Sequence, residues 1–170
     1  LLAAAVALAI RSVIVRDLGL EANGLYQAAW SISGMFAGFI LGAMGTDFYP
    51  RLTAAANSHD QSNRLINEQT EIGVLLALPG LLATLAFAPW VMHLFYNSRF
   101  LPGAELLPWF VLGIFGQVIS WPMAFALLAQ GAAVWYVIIE SCANILRLLL
   151  SVTLLRWVGL WGTALAIPIL

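Results

Sequence analysis

The chain has 170 residues, 62% of them hydrophobic and 9% charged, with a formal net charge of −1. A soluble domain carries about 25% charged and about 45–50% apolar residues, and a fold of this length has too little interior to hide the apolar excess. The composition therefore excludes a water-soluble globule, and the near-neutral charge excludes bulk attraction to nucleic acid or to anionic lipid.

A transmembrane helix needs about 20 mostly apolar residues to cross about 30 Å of hydrocarbon. By that measure the chain is an all-α membrane protein, a polytopic transmembrane helix bundle. Its predicted spans are 1–15 (truncated), 24–46, 72–95, 106–129, 133–155 and 160–170 (truncated). Both ends fall inside apolar runs and are expected to be cut from a longer protein. With no basic n-region and no small-residue cleavage motif in view, no signal peptide is expected.

The first span carries Arg11. Its long stem allows the guanidinium to snorkel to an interface; the alternative is a cavity-facing anion site. A short polar link, 16–23, leads to the second span. There Gln27, Ser31, Gly34, Gly38, Gly42 and Gly45 share one helical face. The Gly34-x-x-x-Gly38-x-x-x-Gly42 run is a small-residue motif of the kind that lets two helices approach closely. It suits static packing or a face that slides against a neighbour.

Residues 47–70 include Asn57, Ser58, His59, Asp60, Gln61, Ser62, Asn63 and Arg64. The segment is too polar for hydrocarbon and is expected to be an aqueous loop, with a surface helix towards its C-terminal end. The third span contains Pro79–Gly80 and Pro89, and the fourth Pro122. Proline removes an i→i−4 hydrogen bond and kinks a helix. Such breaks occur in transporters, where freed carbonyls line cavities, and in static bundles too. Residues 96–105 form a predicted turn. Gly113, Gln117, Ser120 and Ala124 lie along the fourth span, and Gln130–Gly131 closes a tight hairpin to the fifth.

The fifth span is the most informative. Tyr136, Glu140, Asn144, Arg147 and Ser151 fall within a stripe about 80° wide on an otherwise aliphatic helix. A charge at a helix centre costs about 2.5–3.5 kcal/mol to insert, and each Leu, Ile or Val returns about 0.3–0.6. The helix can therefore insert, with its stripe turned to the bundle interior or a wet cavity. Glu140 and Arg147 are separated by about 10 Å along the axis. They form either an internal ion pair that locks packing or two halves of a cavity site.

Trp90, Trp109, Trp135, Trp157 and Trp161 lie near predicted span ends, as an interfacial aromatic belt requires. Arg51 and Arg64 fall on one side of the membrane and Arg16, Arg99 and Arg156 on the other, which does not orient the chain. The sequence has no GxxxxGK[ST] loop, no HExxH and no Cys/His cluster, and the single Cys142 has no intrachain partner. Neither a cofactor nor a catalytic set is predicted. Energy for any transport is expected from an ion gradient, the substrate gradient or another subunit.

The stretch DLGLEANGLYQAAWSISG (17–34), the run FYPRLTAAAN (48–57) with Asp60 and Asn67, LPG (78–80), LFYNSRFLPGAELLPWFVLG (94–113), LLAQG (127–131) and VGLWGTALA (158–166) follow one another in an order similar to that of a known family. The chain resembles the bacterial O-antigen and polysaccharide translocases of the multidrug/oligosaccharidyl-lipid/polysaccharide exporter superfamily, over nearly all of its length. The resemblance is to the C-terminal six-helix lobe of a two-lobed, V-shaped bundle in the bacterial inner membrane, with segment 47–70 on the cytoplasmic side. It implies translocation of an undecaprenyl-diphosphate-linked oligosaccharide between leaflets. Membrane lipids, a polysaccharide polymerase and other assembly proteins are the implied partners.

The helix faces supply the candidate cavity residues: Arg147 and Arg11 for the diphosphate, Glu140 to orient Arg147 or take up a proton or cation, and Gln117, Asn144 and Ser151 for sugar hydroxyls. Two alternatives remain open, a multidrug exporter of the same superfamily and a membrane-embedded polysaccharide polymerase or ligase. A drug-export cavity would favour exposed acids. The enzymes usually carry a large periplasmic loop with catalytic Arg or His, and no such cluster is present here.

Overall fold

A computed structural model describes residues 2–56 and 58–167, excepting the side chains at 36, 40, 43, 44 and 46. Position 57 of the predicted loop, position 1 and positions 168–170 of the predicted end spans lie outside the described residues. The structure is 92% helical, with no strand among the described residues. Its elements are α1 (Leu2–Ala54), α2 (His59–Ala86), α3 (Ala88–Phe95), a 3₁₀ helix (Ser98–Glu105), α4 (Leu107–Ala129), α5 (Ala133–Val158) and α6 (Leu160–Leu165). Three of them, α2, α4 and α5, are long and apolar enough to cross a membrane. In hydrocarbon a helix satisfies every backbone N–H and C=O within itself, which is why such a composition folds this way. Hydroxyls do the same locally: Ser12, Thr84 and Thr153 donate to the carbonyls of Leu8, Gly80 and Leu149 at 2.8–2.9 Å.

The 53 residues of α1 are two arms joined at Gly19, whose backbone (φ 88°, ψ 176°) is not helical. That region of φ/ψ space is essentially reserved for glycine. The break folds the first arm back along the second. Val6, Ile10 and Ile14 pack in one core with Tyr26, Ala28, Ala29 and Ile32, and Ala3 lines the same cavity as Gly34. The polar link expected over 16–23 thus shrinks to a single residue. Beside it, Arg16 Nε donates to Asp17 Oδ1 at 2.7 Å, which holds that exposed carboxyl below its usual range.

The expected aqueous loop over 47–70 is a correction. Helix α1 continues to Ala54 and α2 begins at His59, so the connection is a few residues long. Polarity is accommodated by pairing along and between the helices: Arg51–Asp47 at 3.4 Å, Arg64–Glu68 at 2.8 Å, and Arg51–Glu68 at 4.0 Å across the junction. Ser58 caps α2 by accepting from the Gln61 N–H, and Ser62 Oγ donates to the Ala55 carbonyl at 2.9 Å.

The expected single span over 72–95 is divided, with α2 ending before Phe87 and α3 opening with Pro89 in its first turn. The turn expected over 96–105 is a 3₁₀ helix, whose N-cap Asn97 accepts from the Arg99 N–H. A second core, Ala77, Leu81, Val111, Ile114 and Val118, joins α2 to α4. The 3₁₀ segment lies so close to α1 that a Cβ at Gly103 would meet Met92 Cε at 2.7 Å and the Leu25 carbonyl at 3.2 Å. The glycine stripe of the second arm is different: at Gly34, Gly38 and Gly42 nothing lies within 4 Å of an added Cβ. Among the described residues nothing closes on these three positions, whereas at Gly45 an added Cβ would meet the Trp121 ring at 3.5 Å.

Candidate functional site

The second arm of α1 turns a face carrying Tyr26, Trp30, Ser33, Gly34 and Ala37 towards α4 and α5; at 100° per residue these positions span about 100°. Helix α4 presents Phe110, Gly113, Gln117 and Ser120, and α5 presents Glu140, Asn144 and Arg147. Between them lies an open cavity of about 690 Å³, bounded at its edges by Ala3 and Ile167. That volume lies within the range of about 300–1,000 Å³ common for small-molecule sites.

Four of the six sequence candidates, Gln117, Glu140, Asn144 and Arg147, share this wall. Ser151, only 2% exposed, is buried and does not line it. Arg11 lies outside the lining as well, with a buried Nε.

No carboxylate lies within 4.0 Å of Arg147 among the described residues, so the packing lock with Glu140 does not form. Seven residues of α5, nearly two turns, separate the two, and each finds another neighbour. Asn144 Nδ2 donates to Glu140 Oε1 at 3.0 Å and to the Glu140 carbonyl at 2.8 Å. The Arg147 guanidinium carbon stands 4.6 Å from the centre of the Trp30 ring, a cation–π contact. Arg147 Nε is buried and makes no hydrogen bond with the described residues, and the same holds for Ser33 Oγ on the facing wall.

Tyr26, Trp30 and Phe110 form one aromatic cluster. Tyr26 and Trp30 stack with centroids 6.3 Å apart and planes 3° apart, and Phe110 meets both edge-on at 5.5 and 5.6 Å. Sequence reasoning misses these rings. Tyr26 and Trp30 lie one turn apart on a face about 95° from the centre of the glycine stripe, and only tertiary contact with Phe110 and Arg147 marks them as part of a site. Chemically, the wall offers a cation whose Nε–H is unpaired among the described residues, a carboxylate held by an amide, and neutral donors and acceptors over an apolar floor.

No family model matches the chain, and neither the curated proteins nor the solved structures provide a match.

Proposed function

We propose that this chain is part of a bacterial inner-membrane translocase that carries a diphosphate-linked oligosaccharide lipid between leaflets, as the ordered motifs resembling polysaccharide flippases imply. The observation that carries the reading is Arg147: a guanidinium on a cavity wall, with a buried Nε that makes no hydrogen bond and no carboxylate within 4.0 Å among the described residues. A cation left unneutralised inside apolar helices is stabilised when an anion arrives. A diphosphate offers several acceptor oxygens to one guanidinium. Gln117, Ser33 and Asn144 supply polar groups for sugar hydroxyls on the same wall. In this reading the chain forms the C-terminal lobe of a two-lobed exporter and faces its other lobe across the cavity.

The test is Arg147→Ala in the intact protein. Surface polysaccharide is expected to disappear while membrane abundance stays at the parent level; normal polysaccharide output removes Arg147 from the mechanism.

One observation favours drug export instead. Glu140 lines the same cavity, exposed and held only through Asn144, and a carboxylate so placed suits a cationic cargo or a coupling cation. Loss of drug resistance in Glu140→Gln, with polysaccharide intact, would favour that reading.

A further inference from the structure

We infer that Trp30 is the positioning residue of this anion site, an uncharged platform that holds the Arg147 guanidinium by its ring face and leaves its charge unneutralised and its Nε–H unpaired for a phosphate-type oxyanion. The inference rests on the reading of the cavity as a diphosphate site and adds how the cation is held there.

A buried arginine is commonly oriented by a carboxylate. That partner occupies up to two of the five donors and cancels the charge, so an anionic substrate would have to displace it. The acid nearest at hand in sequence, Glu140, is engaged by Asn144 at 3.0 Å. The guanidinium instead lies 4.6 Å from the Trp30 ring centre. The negative face of the ring attracts the cation without accepting a conventional hydrogen bond or neutralising its charge, and tryptophan does this best among the aromatic residues. The platform is itself fixed. Tyr26 stacks on Trp30 with planes 3° apart, and the Phe110 ring meets it at 79° with centroids 5.6 Å apart. These three rings come from two elements, α1 and α4, so the guanidinium of α5 is positioned against a junction that its own helix does not form. Orientation and charge are thereby supplied by different groups.

The full chain in nanodiscs is titrated with inorganic pyrophosphate. Arg147→Gln is expected to abolish binding, Trp30→Leu to weaken it about tenfold, and Trp30→Phe to weaken it less. Replacing tryptophan biosynthetically with a fluorinated tryptophan drains the ring face and keeps its shape. It is expected to weaken binding in the parent and to leave Trp30→Phe unchanged, which keeps the test decisive if Trp30→Leu does not fold.

Parent-like binding by Trp30→Leu, or equal fluorination effects in parent and Trp30→Phe, overturns the platform while the diphosphate reading stands. Absence of binding by the parent, or parent-like binding by Arg147→Gln, overturns both. Polyprenyl diphosphate added to the nanodisc displaces the probe when the site serves a lipid headgroup. Failure to displace it assigns the site to free phosphate and overturns the lipid reading, with the platform intact.

Discussion

Arg147 and Glu140 lie on the same face of α5, yet their surroundings separate their roles. Glu140 accepts from Asn144 on the turn above, whereas Arg147 reaches across to an aromatic ring on α1. An ion pair between them would couple their substitutions by about 0.5–3 kcal/mol, while independent sites add to within about 0.5 kcal/mol. The expected coupling for Glu140→Gln with Arg147→Met is therefore below about 0.5 kcal/mol, read as thermal stability of the purified protein in detergent. Arg147→Met alone is expected to be no less stable than the parent, because it removes an unneutralised cation and keeps an apolar stem of similar reach. A stability loss that Glu140→Gln relieves would restore the lock. The stripe of five polar residues on α5 was legible because most of the remaining positions are aliphatic and the five keep a 3.6-residue period. The partners were not. Which residue faces Arg147 depends on how the second arm of α1 packs against α4 and α5, and Trp30 lies more than a hundred positions from Arg147 in sequence.

At the scale of elements, the same residue type does opposite work at Gly19 and Gly34. Gly19 has φ 88° and ψ 176°, with nothing within 4 Å of an added Cβ, so backbone conformation and not space reserves it for glycine. Gly19→Ala is expected to destabilise the chain by about 1–3 kcal/mol. Gly34 is helical with equally open surroundings, and Gly34→Ala is expected to be neutral or to stabilise by up to about 1 kcal/mol through helix propensity. Chemical denaturation in detergent followed by far-UV circular dichroism distinguishes the two, and a stable Gly19→Ala would show that the arms turn by another route. The glycine stripe was readable as a small-residue face, but its lack of a close neighbour was not, because spacing tells what a face permits and not what covers it. The error over 47–70 has a related cause. Asn, Ser, Asp and Arg suggest a loop by polarity, whereas Asp47–Arg51 and Arg64–Glu68 stand at i,i+4 spacing within their helices and Arg51–Glu68 joins the two.

For the whole molecule, the connections determine which groups share one end of the helix bundle. Helix α2 leaves the 55–58 junction, and α4 returns from the 3₁₀ segment to Gln130–Gly131, against which α5 turns back. Packing of α2 on α4 through Leu81 and Val118 requires them to run side by side. Ser58 and Gln130 therefore belong to one face, and Ser98 to the other, together with the Gly19 break. In a background with Cys142→Ser, Ser58→Cys and Gln130→Cys are expected to react with an impermeant maleimide from the same side and Ser98→Cys from the opposite side. Opposite reactivity of positions 58 and 130 would overturn this arrangement of the helices in a bilayer. The absolute direction is a separate matter, because the arginines divide two against three and exert little bias. Under the proposed function the Ser58 side faces the cytoplasm. In intact cells Ser98→Cys alone is then expected to label, with Ser58→Cys and Gln130→Cys labelling only after permeabilisation. The reverse pattern would leave the packing intact and invert the chain, and would place the Arg147 wall in the wrong orientation for the lobe that the proposed function requires.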